Sequence, residues 1–413
     1  MSTWRPWSLR ELMADLVAGR TNPEETVRRA RGRIAGTEPD VRAWVELDDV
    51  PVVTGHGLLR GVPMGVKDII DLAGLPTRCG SALRADAGPA SRDAAVVEAW
   101  RSTGVVPLGK TVTTEFAFFA PGPTRNPAHL DHTPGGSSSG SAAAVASGQV
   151  PLAIGSQTAG SVTRPASYCG VASLVMRHGR FPTDGVVGLS PSLDSHGVYA
   201  ATATDLALAW ASLTGEPDVG RSGTAPRIAL WSAAPLEVVS EEMSAAVSTA
   251  NAAFASHGAQ IDAFPLESLI ADVTAAHPVV MAYEAARERA AELDRADRLS
   301  DPLATLLRTG ADISDADYEA ARGLVAAARP KIGALLSEYD VVLGPGAPGA
   351  APPGHRATGD PVLSRAWQAL GLATAAVPGL RDDAGLPLGL QVVAGSELTA
   401  LRAAVWVEQH LSR

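Results

Sequence analysis

The sequence has little cysteine, little lysine and no long apolar run, and each scarcity excludes a class of protein. Of 413 residues only Cys79 and Cys169 are cysteines, too few for a disulfide framework, so a reducing cytoplasm is expected. Both stand in Cys-Gly pairs without an evident histidine partner and read as small buried core residues. No Cys/His cluster has zinc spacing and HExxH is missing, so no metal and no other cofactor is expected. Apolar runs stay short of the roughly 18 residues that suggest a membrane span. The opening MSTWRPWSLRELMADLVAG lacks the unbroken apolar stretch of a signal peptide. Positive charge is in deficit, with a net charge of −10, which argues against a nucleic acid or an anionic membrane as partner.

Lysine is the most informative scarcity: Lys67, Lys110 and Lys331 stand against 31 arginines. A codon bias explains the ratio without any function. A lysine kept where arginine is the default nevertheless suggests a need for an amine that can lose its proton, which a guanidinium cannot do.

What is present is ordinary for a globular chain, 46% hydrophobic and 19% charged. The length admits one large α/β domain or two to three smaller ones. Residues 8–36 carry helix-spaced apolar positions with a break between Gly19 and Pro23, predicting two short helices. Residues 41–49 alternate like a strand, and GVPMGVKDIID (61–71) reads as a short apolar strand that stops at Lys67-Asp68. A helix at 91–104, a strand at 105–111, a small-residue helix at 139–148 and a strand at 150–157 give a βαβ rhythm. After a turn-rich boundary at 215–226 come strands at 226–234 and 259–266 around a helix at 240–258. A mainly helical stretch, 267–338, suits an outer layer or lid. Strands at 339–348 and in GLPLGLQVV, with a final helix at 398–412, close the chain. The expected architecture is a single α/β/α domain over residues 1–413, with a mixed, mostly parallel sheet covered by helices on both faces. Within it we expect N-terminal helices (1–60), a core carrying the chemistry (61–215), a mainly helical outer layer (216–338) and C-terminal strands and helix (339–413).

Serine, glycine and threonine crowd two places, TPGGSSSGS (133–141) and GSQTAGS (155–161), separated by one helix and one strand. Glycines let backbone amides approach a ligand and neighbouring serines can be aimed at it, so the clusters read as two loops over one site. Three chemistries compete. Gly136-Ser137-Ser138-Ser139-Gly140 has the spacing of a nucleophile elbow, but that motif needs a strand before it and Asp and His partners after it. The preceding NPAHLDHTPGG looks like loop, and His196 and His355 stand in no compelling context. A phosphate-cradling loop lacks the Gly-Lys-Ser/Thr ending and GxGxxG. The third reading makes Ser161 a nucleophile whose oxyanion the small-residue amides beside it receive. Lys67, neutralised by burial, would act as its base through a bridging hydroxyl on Ser137.

GVPMGVKDIIDLAGLPTRCGS, GKTVTTEFA, TRNPAHLDHTPGGSSSGSAAAVASG and GSQTAGSVTRPASYCG, with YDVVLGP and GLPLGLQVV near the end, resemble the amidase signature family over nearly the whole chain. That resemblance implies a Ser–cis-Ser–Lys triad: Lys67 as base, Ser137 as relay after a cis Gly136–Ser137 peptide, and Ser161 as nucleophile. It implies an oxyanion hole from the amides of Thr158, Ala159, Gly160 and Ser161, and an acyl-enzyme cleaved by water. The expected substrate is a small linear amide, and a homodimer is a family-level expectation. Where much of the family has arginine two residues after the nucleophile, this chain has Thr163 and then Arg164. SVTRPA is similar to malonamidase, in which the shifted arginine holds a substrate carboxylate, and a guanidinium fork suits that role. Arg164, Gln157 and Ser138 are the expected substrate-binding residues; the competing role for Arg164 is a buried pair with a scaffold acid such as Asp68. The chain departs from the family at Ser173–His178, which bears on pocket shape, and Arg177 and His178 there read as a solvated turn. The alternatives are a glutaminase-like subunit of an amidotransferase complex and a Ser-His-Asp hydrolase on another fold.

Overall fold

The computed structural model describes residues 4–53, 56–221 and 223–411. Its first half contributes strands β1 (Trp44–Leu47), β2 (Pro63–Lys67), β3 (Val106–Thr111), β4 (Leu152–Gln157), β5 (Ala172–Val175) and β6 (Ser195–Ala200). Its second half contributes β7 (Arg227–Leu230), β8 (Gln260–Ala263), β9 (Val341–Pro345), β10 (Ala373–Arg381) and β11 (Pro387–Ala394). All of them join one sheet in the order β1-β3-β2-β4-β6-β5-β10-β11-β9-β7-β8. Seven strands, β2 to β6, β9 and β11, are buried at every residue. Since successive side chains point to opposite faces, both faces of the sheet are covered. The edge strands β1 and β8 are partly exposed, as are the ends of β7 and the second half of β10.

The mixed α/β sheet agrees with the sequence reading, but its parallel share is smaller than a βαβ rhythm suggests. Parallel pairing is confined to two blocks, β3-β2-β4 and β9-β7-β8, where helices supply the crossovers. The remaining pairings are antiparallel. The physical reason is the connections: β5 reaches β6 through a stretch without a helix, and β10 turns into β11 through a short loop, so neither pair can be parallel.

Helix starts follow local chemistry. Ser8, Asn22, Ser240, Ser314 and Ser396 each accept a backbone N–H from the first turn of the helix they precede. The two expected N-terminal helices are Leu9–Val17 and Pro23–Val41, the second running into the start of the expected strand at 41. The final helix is Glu397–His410; residue 412 of its expected span, and residue 222 of the turn-rich boundary, lie outside the described residues. The stretch 267–338 is built of helices Glu267–Glu288, Ala290–Leu293, Asp301–Asp312 and Asp315–Glu338. No helix among the described residues is long and apolar enough to cross a membrane.

Helix Ser139–Ala146 is buried along its whole length because its side chains are small. Gly140 makes the close approach possible: its amide donates to Val112 O at 3.0 Å, and a Cβ there would fall on Ala43 O and Val112 N. Ser141 fixes the helix to β4 through Ile154 O at 2.9 Å. The serine loop before this helix is thereby held over the end of β4, where the second small-residue loop begins.

Candidate active site

Lys67 is the last residue of β2 and has no exposed surface. Its ammonium nitrogen donates to Ser137 Oγ at 2.6 Å, Ser156 Oγ at 2.9 Å and Ser156 O at 3.3 Å. Burial dominates its titration and pulls its pKa from 10.5 to about 7, with Asp194 opposing the shift. An amine that is partly neutral at pH 7 and bonded to a hydroxyl can exchange a proton with it. Of the other lysines, Lys110 is buried and paired with Asp68 at 3.2 Å, and Lys331 is exposed.

The Gly136–Ser137 peptide is cis. The two loops are laced together directly, since Ser138 N donates to Ser161 O at 3.2 Å and the Tyr199 hydroxyl donates to the same oxygen at 3.3 Å. Ser137 and Ser161 line one narrow pocket with Thr158, Ala159, Arg164, Phe118, Phe119, Met281 and Thr358. Among the described residues, the amides of Thr158, Ala159, Gly160 and Ser161 donate to no protein acceptor, whereas those of Val162 and Thr163 are both taken by Gln157 Oε1. Four adjacent amides are thus without a protein acceptor, and Thr158, Ala159 and Ser161 among them line the pocket.

Two expected substrate-binding residues have other work. Gln157 spends its oxygen on those two amides and its nitrogen on Gln368 Oε1 at 3.0 Å, which fixes the start of helix Thr163–Cys169. The Ser138 hydroxyl is fully buried and bridges Ser156, donating to its carbonyl at 3.2 Å and accepting its amide at 3.3 Å. Both side chains are drawn inward because each bonds buried backbone groups of the neighbouring loop and strand.

Arg164 faces the pocket and does not pair with Asp68, which is engaged by Lys110. One terminal nitrogen donates to Gly136 O at 2.7 Å and Thr358 Oγ1 at 3.3 Å. Its Nε and Nη1 are buried with no partner among the described residues. Desolvation pulls its pKa down to about 10, which leaves the group charged at neutral pH. A buried cation with spare donors favours an anion beside it.

The elbow reading fails on its surroundings. An irregular loop, not a strand, precedes Ser137. His196 is hydrogen-bonded to Pro182 O at 2.9 Å and His355 to Leu130 O at 2.9 Å, so neither serves these serines. Both cysteines are buried, and burial raises both thiols, Cys79 to about 12. Arg177 is tied to Glu397 at 3.1 Å and His178 is exposed, consistent with a surface turn. Among the described residues no group of three or more His, Cys, Asp or Glu side chains could hold a metal ion.

Three further residues complete the surroundings. Ser156 accepts from Lys67, as described. Asp194 takes the Thr158 hydroxyl at 2.5 Å on one oxygen and the amides of Leu189 and Ser190 at 2.8 and 3.0 Å on the other. His277, in helix Glu267–Glu288, reaches Thr158 O at 2.8 Å across 119 residues of chain. Ser156 stands inside the GSQTAGS cluster, whereas Asp194 and His277 carry no sequence signal: each is a lone polar residue whose partner is fixed only by the fold.

Residues 53–397 match the family model described as Amidase. A curated relative, the A subunit of glutamyl-tRNA(Gln) amidotransferase from Shouchella clausii, is 31% identical over 94% of this chain and 93% of its own length. Its counterpart from Acidothermus cellulolyticus is 40% identical over 50% of this chain, a match that spans only 44% of that relative. A crystal structure of an amidase superimposes with a TM-score of 0.86 at 27% identity, covering 98% of this chain and all (100%) of the other.

Proposed function

The chain belongs to the amidase family, and on that premise we propose that it hydrolyses a small linear amide through an acyl-enzyme on Ser161. One observation carries the reading: a buried lysine with its pKa near 7 is bonded at 2.6 Å to Ser137, which shares a pocket wall with Ser161. Neutral Lys67 takes the Ser137 proton as Ser137 takes that of Ser161, and Ser161 Oγ forms a bond to the amide carbon. The carbonyl electron pair moves onto oxygen, where the free amides of Thr158, Ala159, Gly160 and Ser161 receive the charge. The proton returns through the relay to the leaving nitrogen as the C–N bond breaks. Water then attacks the ester by the same route and restores Ser161, yielding the carboxylic acid.

For the substrate we infer an amide that also carries a carboxylate, as in the malonamidase-like branch. The unpartnered Nε and Nη1 of Arg164, buried in the pocket that holds Ser161, support it. Fluorophosphonate labelling followed by peptide mapping tests the mechanism: the label is expected on Ser161 and absent from Ser161→Ala. A label on Ser138, or one that survives Ser161→Ala, would sink it. The likeness to an amidotransferase component makes the purified chain's own turnover decisive. Hydrolysis without a partner favours the amidase reading, and turnover only with added partner favours a glutaminase-like role within a complex.

A further inference from the structure

Building on the acyl-enzyme reading, we propose that His277 is a positioning residue that aims the Ala159 amide into the oxyanion site. Across a trans peptide the C=O and N–H point in opposite directions. Whatever holds the Thr158 carbonyl therefore fixes where the Ala159 N–H points. His277 Nε2 lies 2.8 Å from Thr158 O, and a carbonyl only accepts, so Nε2 carries the hydrogen. His277 Nδ1 is buried without a partner among the described residues, which fits the bare nitrogen of that tautomer. The ring has no exposed surface, and burial holds its pKa at about 4, so it stays a neutral donor at working pH.

Thr158 is gripped from both sides. His277 holds its carbonyl and Asp194 holds its hydroxyl at 2.5 Å. Asp194 is itself anchored by the Leu189 and Ser190 amides. The helix that carries His277 docks a second time, through Glu284, which accepts from Ser190 Oγ at 2.7 Å and Ser192 N at 2.9 Å. Met281 of the same helix lines the pocket. What the sequence suggests is an outer layer is thus a brace for the loop that receives negative charge. His277 touches no reacting atom; it acts through the Thr158–Ala159 peptide.

The test compares His277→Leu, which removes the donor, with His277→Gln, whose amide nitrogen reaches the position of Nε2. Loss of one oxyanion donor costs about 10²–10³ in kcat, and misaiming one is expected to cost roughly ten- to a hundredfold. His277→Leu should lower kcat by that factor with KM nearly unchanged, and slow fluorophosphonate labelling of Ser161 in parallel. His277→Gln should recover most of both rates. Equal impairment of the two variants, unchanged kcat in His277→Leu, or a rise in KM alone would overturn the proposal. If His277→Leu does not fold, His277→Asn takes its place, since its shorter amide misses the carbonyl; activity equal to that of His277→Gln would be equally fatal. Labelling that persists in Ser161→Ala would sink the acyl-enzyme reading itself, a different result from any of these.

Discussion

The acid limb of the pH–rate profile is the sharpest consequence of the site. The base must be neutral to accept a proton, so the rate follows the deprotonated fraction of Lys67. Burial sets its pKa at about 7. The neutral fraction is then about one tenth at pH 6, about half at pH 7 and about nine tenths at pH 8. The sign follows: lowering pH protonates the amine and removes activity, with kcat/KM falling about tenfold from pH 8 to pH 6 and a limiting slope of one. A neutral aliphatic amide is the substrate of choice, because it does not titrate across this range. Asp194 is the main group favouring the charged amine, so Asp194→Asn should move the limb to lower pH. The asparagine oxygen can keep the Leu189 and Ser190 amides while its NH2 donates to the Thr158 hydroxyl oxygen. His277, with a pKa of about 4, would place a limb some three units lower, so the two origins separate cleanly. A flat profile from pH 5.5 to 8.5, or a limb that survives Lys67→Arg with activity intact, would refute the assignment of Lys67 as the base.

Two further outcomes test the pocket and its scaffold. Arg164→Leu should cost kcat/KM on a monoamide monoacid such as malonamate roughly 10- to 100-fold, the worth of about 1.5–3 kcal/mol for hydrogen bonds to a charged group, and leave simple aliphatic amides nearly untouched; equal losses on both would remove the carboxylate. In Gly155→Ala the new methyl would sit 2.7 Å from Ser138 Oγ, pushing that hydroxyl off Ser156. Thermal denaturation should show a loss of about 1–3 kcal/mol, and kcat should fall because Ser137 is the next residue, whereas unchanged stability and rate would show that the loop relaxes freely.

Much of this protein was legible in its residues. Local chemistry placed the helices, since a cap such as Ser8 or Asn22 acts within one turn of chain. The apolar runs at 61–71, 105–111 and 150–157 announced buried strands, because side chains covered on both faces leave no polar alternation. The scarcity of lysine, with the two small-residue clusters, directed attention to Lys67, Ser137 and Ser161. Composition cannot tell a donor with spare capacity from one already used. That is why Gln157 and Ser138 looked like pocket residues until their hydrogen bonds to buried backbone were known.

The sequence by itself determined the residue types, the small-residue helix between the two loops, and the single lysine at the end of its strand. Tertiary structure alone decided what depends on distance between remote segments: the antiparallel centre of the sheet, the orphaned nitrogens of Arg164, and the grip of His277 and Asp194 on Thr158. Even the shift at Lys67 belongs to the fold, since the pKa falls only when neighbouring strands exclude water from the amine. Local propensity acts through the chain over a few residues; desolvation and hydrogen-bond satisfaction act through space, and the site consists of those.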